Sequence, residues 1–147
     1  MKFDRFGALM ASTLLTSAVL VPLTAVSAHA DPILDLCGGA ADNYAGSYAG
    51  GNSGGQLGIV THYTLTMRGD GTFTAQSKIT YSDSPEQNFG PTNGTFTVAS
   101  FAGLGPVVRF TPSADVLPAA AALPVCNLGS NRAQKIDFKQ VFLNRTG

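Results

Sequence analysis

The sequence is poor in the side chains that carry most enzyme chemistry. It has two histidines, two cysteines and no tryptophan among 147 residues. Only His62 lies beyond residue 30, and a single histidine cannot build a multi-histidine zinc site. No Cys-x-x-Cys pair occurs. We therefore expect no catalytic residue, no metal ligand set and no cofactor, and we expect His62 to be an ordinary sheet residue.

Charged residues are also scarce, at 12% of the chain, and the nine basic residues equal the nine acidic ones. Beyond residue 30, seven basic and eight acidic residues remain. A basic stripe of the kind that attracts a phosphate backbone is missing. The composition therefore argues against nucleic acid as a partner.

The first thirty residues have the pattern of a cleavable secretory signal. Lys2 and Arg5 precede an apolar stretch from about residue 8 to 26, and the small-x-small triplet Ala28-His29-Ala30 follows. Serines and threonines interrupt this stretch, and no charged flank follows it, so cleavage is favoured over a stable membrane anchor. The alanine-rich composition is typical of bacterial signals.

Cleavage before Asp31 would leave residues 31 to 147 as the mature protein. That length of 117 residues suits one domain with a single core. We predict that this domain is secreted into the extracellular or cell-envelope space.

The only cysteines, Cys37 and Cys126, lie near the two ends of the predicted domain. An exported chain meets an oxidising environment, where an even pair of cysteines usually closes. A redox or nucleophilic role would need a second nearby cysteine or a histidine partner, and neither cysteine has one. We therefore predict a disulfide between Cys37 and Cys126.

Strict alternation predicts a β-hairpin in the middle of the chain. Leu57 to Arg68 and Thr72 to Tyr81 alternate apolar and polar residues, and Gly69-Asp70-Gly71 between them is typical of a tight turn. The inward face is predicted to carry Ile59, Tyr63, Leu65, Phe73 and Ile79, and the outward face Thr64, Thr66, Thr74, Gln76 and Lys78.

A glycine, a hydroxyl residue and an aromatic recur at Gly46-Ser47-Tyr48, Gly71-Thr72-Phe73 and Gly94-Thr95-Phe96. This spacing suits a meander in which each glycine leaves a turn and each aromatic enters the core. Further strands are expected at residues 94 to 100, 106 to 111 and 135 to 144, and loops at 82 to 93 and 117 to 123. The predicted fold is all-β, a small antiparallel up-and-down β-barrel of about six to eight strands closed by one disulfide, with a β-sandwich as the alternative.

Three segments, residues 44 to 50, 63 to 73 and 93 to 98, resemble a pattern found in poorly characterised exported bacterial proteins with lipocalin-like (calycin-type) β-barrels. The resemblance consists of turn glycines and strand residues, so it implies a fold and carries no catalytic residue across. The absence of tryptophan departs from avidin-like barrels and from many lipocalins.

Without a catalytic constellation, we expect an exported, non-enzymatic barrel that binds a small apolar ligand or a protein partner. The aromatic residues expected to face a ligand or to fill the core are Tyr48, Tyr63, Phe73, Tyr81, Phe96 and Phe110.

Two alternatives remain open. One is a barrel isomerase or cyclase of the allene-oxide-cyclase or dirigent type, which residues 79 to 83 faintly resemble. That function requires an enclosed void with an acid such as Asp83 or Asp115 pointing into it. The other is a secreted inhibitor or interaction protein that acts through loop 82 to 93 or loop 112 to 124.

Overall fold

A computed structural model describes residues 37–54, 58–101, 103, 105–112, 116–127 and 129–147. The predicted signal at residues 1 to 30, the predicted start at Asp31, Leu57 and Asp115 lie outside the described residues. In the described part of the chain, no helix combines the length and apolar character needed to cross a bilayer.

Eight antiparallel strands form a closed barrel in which each strand pairs with the next in sequence. Their bounds are β1 (Gly46–Gly54), β2 (Ile59–Met67), β3 (Thr72–Thr80), β4 (Gln87–Phe101), β5 (Gly105–Thr111), β6 (Ala121–Cys126), β7 (Ala133–Asp137) and β8 (Phe142–Arg145). Pairing between β1 and β8 closes the barrel and removes the exposed sheet edges. The predicted up-and-down barrel is confirmed, and the β-sandwich alternative is wrong.

The predicted central hairpin is confirmed in its pairing and its orientation. Met67 pairs with Phe73 and Val60 pairs with Thr80, across a turn in which Asp70 Oδ1 accepts the Thr72 N–H at 2.9 Å. Leu65 and Phe73 are fully buried inside the barrel. The remaining residues predicted to point inward are half-buried: Ile59, Tyr63 and Ile79. On the outer face, Thr64, Gln76 and Lys78 are exposed, and Thr66 and Thr74 are half-buried.

Residues 135 to 144, predicted as one strand, form a hairpin instead. The chain leaves β7 at Asp137 and enters β8 at Phe142, and Phe138 N–H donates to the Val141 carbonyl at 3.0 Å. Lys139 adopts the left-handed backbone conformation, with φ of 73°, so it cannot continue a strand. Lys139 therefore lies in a turn and does not alternate with Asp137 on one strand.

Two predicted loops, 82 to 93 and 117 to 123, are partly strand. β4 begins at Gln87 and contains Pro91, and β6 begins at Ala121 and contains Pro124. Proline removes one hydrogen-bond donor, and a strand tolerates that loss next to a bulge. Both strands have such an irregularity. The register of β4 shifts opposite the Ala75/Ser77 step of β3, and the register of β6 shifts between Val125 and Cys126.

The third repeated glycine, Gly94, does not leave a turn as predicted, because it lies inside β4. It pairs with Phe73, whose ring covers it, and a Cβ on Gly94 would lie 2.6 Å from Phe73 Cε1. The aromatics of all three repeats, Tyr48, Phe73 and Phe96, are buried as predicted. Gly94 therefore provides space for a core ring.

Because the strands run up and down, their connections alternate between the two ends of the barrel. We call the end with the β1–β2, β3–β4, β5–β6 and β7–β8 connections the upper end. The lower end holds the other connections and the N-terminal segment, which makes a short 3-10 turn at Ala41–Asn43 before β1.

The predicted disulfide is confirmed at the lower end, where it ties this N-terminal segment to the last residue of β6. The Cα atoms of Cys37 and Cys126 lie 5.5 Å apart, across 89 residues of sequence. Tyr44 in the same segment is fully buried, and its ring contacts Phe96 edge-on at a centroid distance of 6.5 Å.

Candidate functional site

The six aromatic residues singled out from the sequence differ in how deeply they are buried. Tyr48, Phe73, Phe96 and Phe110 are buried in the core, each at most 4% exposed. The Phe73 and Phe110 rings meet edge to face at 5.2 Å. Tyr63 and Tyr81 are only half-buried. Four of the six therefore fill the barrel, and Tyr63 and Tyr81 belong to its upper half.

An open pocket of about 360 Å³ lies at the upper end, where the barrel interior meets solvent. Its size falls within the range typical of small-molecule sites, roughly 300 to 1,000 Å³. The lining residues come from β1, β2, the β5–β6 connection and the β7–β8 turn: Asn52, Tyr63, Pro118, Phe138, Lys139, Gln140 and Val141. Of these, the sequence had singled out only Tyr63 as a candidate binding residue.

Cross-strand pairing places Tyr63 on the inner face of the barrel. It lies opposite Gly50 of β1 and Ser77 of β3, and directly paired residues project to the same side of a sheet. Gly50 cannot carry a side chain, because a Cβ there would lie 1.9 Å from the Phe142 carbonyl oxygen. Glycine at this position therefore permits the close approach of β1 and β8 beside Tyr63.

The β7–β8 turn forms one wall of the pocket, and apolar side chains hold it in place. Phe138 and Val141 are buried, and the Phe138 ring stacks on Phe110 of the core at 5.8 Å. Asp137 Oδ1 accepts the Lys139 backbone N–H at 2.5 Å and so fixes the first half of the turn. Lys139 and Gln140 are exposed at the rim. The wall is therefore attached to the core, and its polar side chains face solvent.

Phe89 shows that the upper interior is also incompletely filled beside β4. It pairs with Ser77, which is 7% exposed, so both residues project to the inner side of the sheet. Phe89 nevertheless remains 42% exposed. An inward phenylalanine with this exposure indicates that apolar surface is available at the upper end of the barrel.

The charges around the pocket are unevenly distributed. Lys139 is the one charged residue among the described lining residues. On the outer face, Lys78 binds Glu86 at 2.6 Å, and this hydrogen bond lowers the pKa of the Glu86 carboxyl below its usual range. Asp83 is exposed in the β3–β4 connection. No carboxylate belongs to the described pocket lining, and Asp115 lies outside the described residues.

Two inward-facing tyrosines have different surroundings. Burial raises the pKa of Tyr63, and among the described residues its phenol has no hydrogen-bond partner. Burial also raises the pKa of Tyr48, and the nearby Arg145 charge offsets part of that rise. The Tyr48 phenol donates to the Tyr44 carbonyl at 2.7 Å. Tyr63 therefore has a donor available for a ligand, whereas the Tyr48 phenol is occupied by the protein.

Arg145 explains how a charged side chain is accommodated at the lower end. Its guanidinium donates to the Ala133 carbonyl at 2.8 Å, to the Ala45 carbonyl and to the Tyr48 phenol oxygen at 3.3 Å. These bonds join the N-terminal segment, β1, β7 and β8. Arg145 therefore acts as a structural cross-link.

The remaining sequence candidates do not assemble into a further site within the described residues. His62 is exposed on the outer face of β2, away from the pocket. No group of three or more histidine, cysteine, aspartate and glutamate side chains in the described part of the chain is placed to hold a metal ion.

Most of the pocket residues could not be identified from the sequence, because the β7–β8 turn lies within residues 135 to 144, which were predicted to form one strand. The one signal for this turn is Asp137, since aspartate side chains often accept backbone N–H groups two residues ahead. The contribution of Pro118 could not be foreseen, because it depends on how the β5–β6 connection lies over the barrel.

Comparisons of the chain with protein-family models, with curated proteins and with solved structures find no match. The functional argument therefore depends on the geometry of this barrel alone.

Proposed function

We propose that this protein is exported and binds a small ligand with an apolar body in the upper-end pocket, without catalysing a reaction on it. The observation that carries the proposal is the pocket itself, an opening of about 360 Å³ in a barrel whose core aromatics are otherwise packed. Its lining includes four residues with apolar or aromatic side chains, Tyr63, Phe138, Pro118 and Val141. Binding pockets typically combine such apolar walls with a few polar groups.

The export part of the proposal is supported by the disulfide between Cys37 and Cys126, which fits an oxidising environment. The barrel topology is compatible with the lipocalin-like exported bacterial proteins that the sequence resembles. A cyclase or isomerase is less well supported, because the pocket is open and its described lining provides no acid.

Binding can be tested with naphthamide, a neutral bicyclic probe small enough for this pocket. A ligand of about a dozen heavy atoms gains roughly 0.3 kcal/mol per atom, or about 4 kcal/mol in total, which corresponds to a Kd of about 1 mM. A ligand-detected NMR titration should therefore show saturable binding near that concentration.

Tyr63→Ala should weaken naphthamide binding about fivefold or more, because the ring forms part of the apolar wall. Tyr81→Ala is the matched control, since Tyr81 is half-buried at the same end but does not line the pocket. Equal weakening in both variants, or no saturable binding to the wild-type protein, would contradict the proposed function.

A further inference from the structure

We propose, on the basis of this binding function, that the ligand is a small carboxylate with an apolar ring body, and that Lys139 binds its anionic group. The inference rests on three features of the pocket: the position of Lys139, the backbone conformation of Lys139 and the polar groups beside it.

Lys139 is at the rim of the pocket with its ammonium group uncommitted. Within the described part of the chain, it forms no ion pair. Its nearest acid in sequence, Asp137, uses Oδ1 to accept the Lys139 backbone N–H at 2.5 Å. Asp137 pairs with Phe142, which is exposed on the outer surface, so its side chain is directed away from the barrel interior. The positive charge at the rim is therefore left for a ligand.

The backbone at Lys139 favours other residue types. Its φ of 73° is the one left-handed value among the described non-glycine residues. Glycine, asparagine and aspartate adopt this conformation at lower cost than a long side chain does. A residue held in a costly conformation beside a pocket is a reason to look for a function of its side chain. Here the side chain contributes the only charge of the described lining.

Neutral donors surround the same opening. Asn52 and Gln140 carry side-chain amides, and the Tyr63 phenol has no partner among the described residues. These groups can donate to the oxygens of an anion, and hydrogen bonds to an ionised acceptor are stronger than neutral ones. The apolar wall of Pro118, Phe138 and Val141 lies beside them. A ligand complementary to both parts has an apolar body and one anionic group.

The other lysine and arginine side chains in the described residues either have partners or lie far from the pocket, as does Arg132, which is exposed in the β6–β7 connection at the lower end. Lys78 binds Glu86 at 2.6 Å, Arg68 donates to Thr74 Oγ1 at 2.8 Å, and Arg145 donates to main-chain carbonyls. Lys135 lies over the Phe142 ring at 4.9 Å, and Arg109 lies over the Phe101 ring at 5.4 Å. These contacts are on the outer surface or at the lower end, away from the pocket.

The test compares naphthoate with naphthamide, two probes with the same ring system that differ in charge. The wild-type protein should bind naphthoate about tenfold more tightly, the expected size of one charge-assisted contact. Lys139→Asn removes the charge and keeps a residue that tolerates the left-handed conformation. This variant should lose most of the preference for naphthoate, because only the neutral donors remain, and its naphthamide affinity should be unchanged. Lys139→Arg should restore the preference for naphthoate.

Lys135→Gln is the matched control, because Lys135 is a lysine of the same hairpin that projects to the outer face. It should leave both affinities unchanged. If naphthamide binds but naphthoate shows no preference, or if Lys139→Asn keeps the preference, the assignment of Lys139 is wrong while the binding function stands. If neither probe binds saturably, the proposed function fails, and the assignment of Lys139 fails with it.

Discussion

The two ends of the barrel use the same kind of inward tyrosine for different purposes. At the lower end, Tyr48 is 1% exposed, and its phenol bonds to Tyr44 and receives a bond from Arg145. At the upper end, Tyr63 is half-buried and lines an open pocket. Tyr48 pairs with Leu65, only two residues along β2 from Tyr63. The height of a residue in the barrel therefore decides whether it is buried in the core or lines the open pocket, although alternation alone treats both positions alike.

The largest expected effect on the free energy of unfolding comes from the disulfide at the lower end. Replacing Cys37 and Cys126 with serine should lower the free energy of unfolding by about 4 to 5 kcal/mol, because the bond restricts a long loop of the unfolded chain. The sequence separation is 89 residues. A denaturant titration measures the loss. A loss below about 1 kcal/mol would mean that the lower end is held by its packing alone.

The next largest effect concerns the buried face of the central hairpin. Phe73→Ala should cost about 3 to 5 kcal/mol, because the ring is fully buried against Phe110 and Gly94. Thr74→Ala, on the outer face of the same strand, should cost within about 1 kcal/mol. Denaturant titrations of the two variants provide the comparison. Equal costs would show that both faces of β3 contribute equally to stability.

Tyr48 and Tyr63 should differ in their contribution to alkaline stability. Burial raises the pKa of both phenols in the folded protein, so the stabilisation is present below the unfolded pKa of about 10 and is lost as the pH rises through the folded pKa. The unfolding free energy should therefore fall above about pH 10. Thermal or urea unfolding measured from pH 8 to about pH 11 checks this direction.

Phenylalanine variants assign that alkaline loss to the individual phenols. At neutral pH, Tyr48→Phe should cost about 1 to 2 kcal/mol, because the Tyr44 carbonyl loses its donor and Arg145 an acceptor. Each phenylalanine variant should remove the part of the alkaline loss that its own phenol contributes. An unchanged alkaline loss in both variants would contradict the assignment to these two phenols.

The smallest expected effect is at the pocket rim. Lys139→Gly should raise the free energy of unfolding by about 0.5 kcal/mol, because relief of the left-handed conformation slightly exceeds the entropy that glycine adds to the unfolded chain. Lys135→Gly, within β7, should instead lower it by about 0.5 to 1 kcal/mol. A loss above 1 kcal/mol for Lys139→Gly would show that the lysine side chain stabilises the fold.

Alternation was sufficient to predict much of the barrel, because the inner and outer faces of a strand differ in polarity every second residue. It identified the hairpin that buries Leu65 and Phe73, and the two cysteines identified the closure of the lower end. It failed at residues 138 to 141, where apolar residues on both sides of Lys139 imitate a continuous strand although the chain reverses direction.

The pocket was harder to predict than the fold, since its parts come from distant segments. Asn52, Pro118 and Gln140 come together only because β1, the β5–β6 connection and the β7–β8 turn meet when the barrel closes. Alternation predicts that the side chains of Tyr63 and Tyr48 both point into the barrel, but it does not indicate which of them is fully buried. That difference depends on where the N-terminal segment packs, which no local pattern contains.

The central claim is that ligands bind at the upper end while the lower end acts as structure. Amide chemical-shift mapping with naphthoate tests it most directly, because every described segment reports on its own surroundings in one titration. We predict saturable shifts at Asn52, at Tyr63 and along residues 138 to 141, with the signals of Tyr44, Tyr48 and Ala133 unmoved. Shifts concentrated at the lower end, or spread evenly over the outer faces of the strands, would contradict the account.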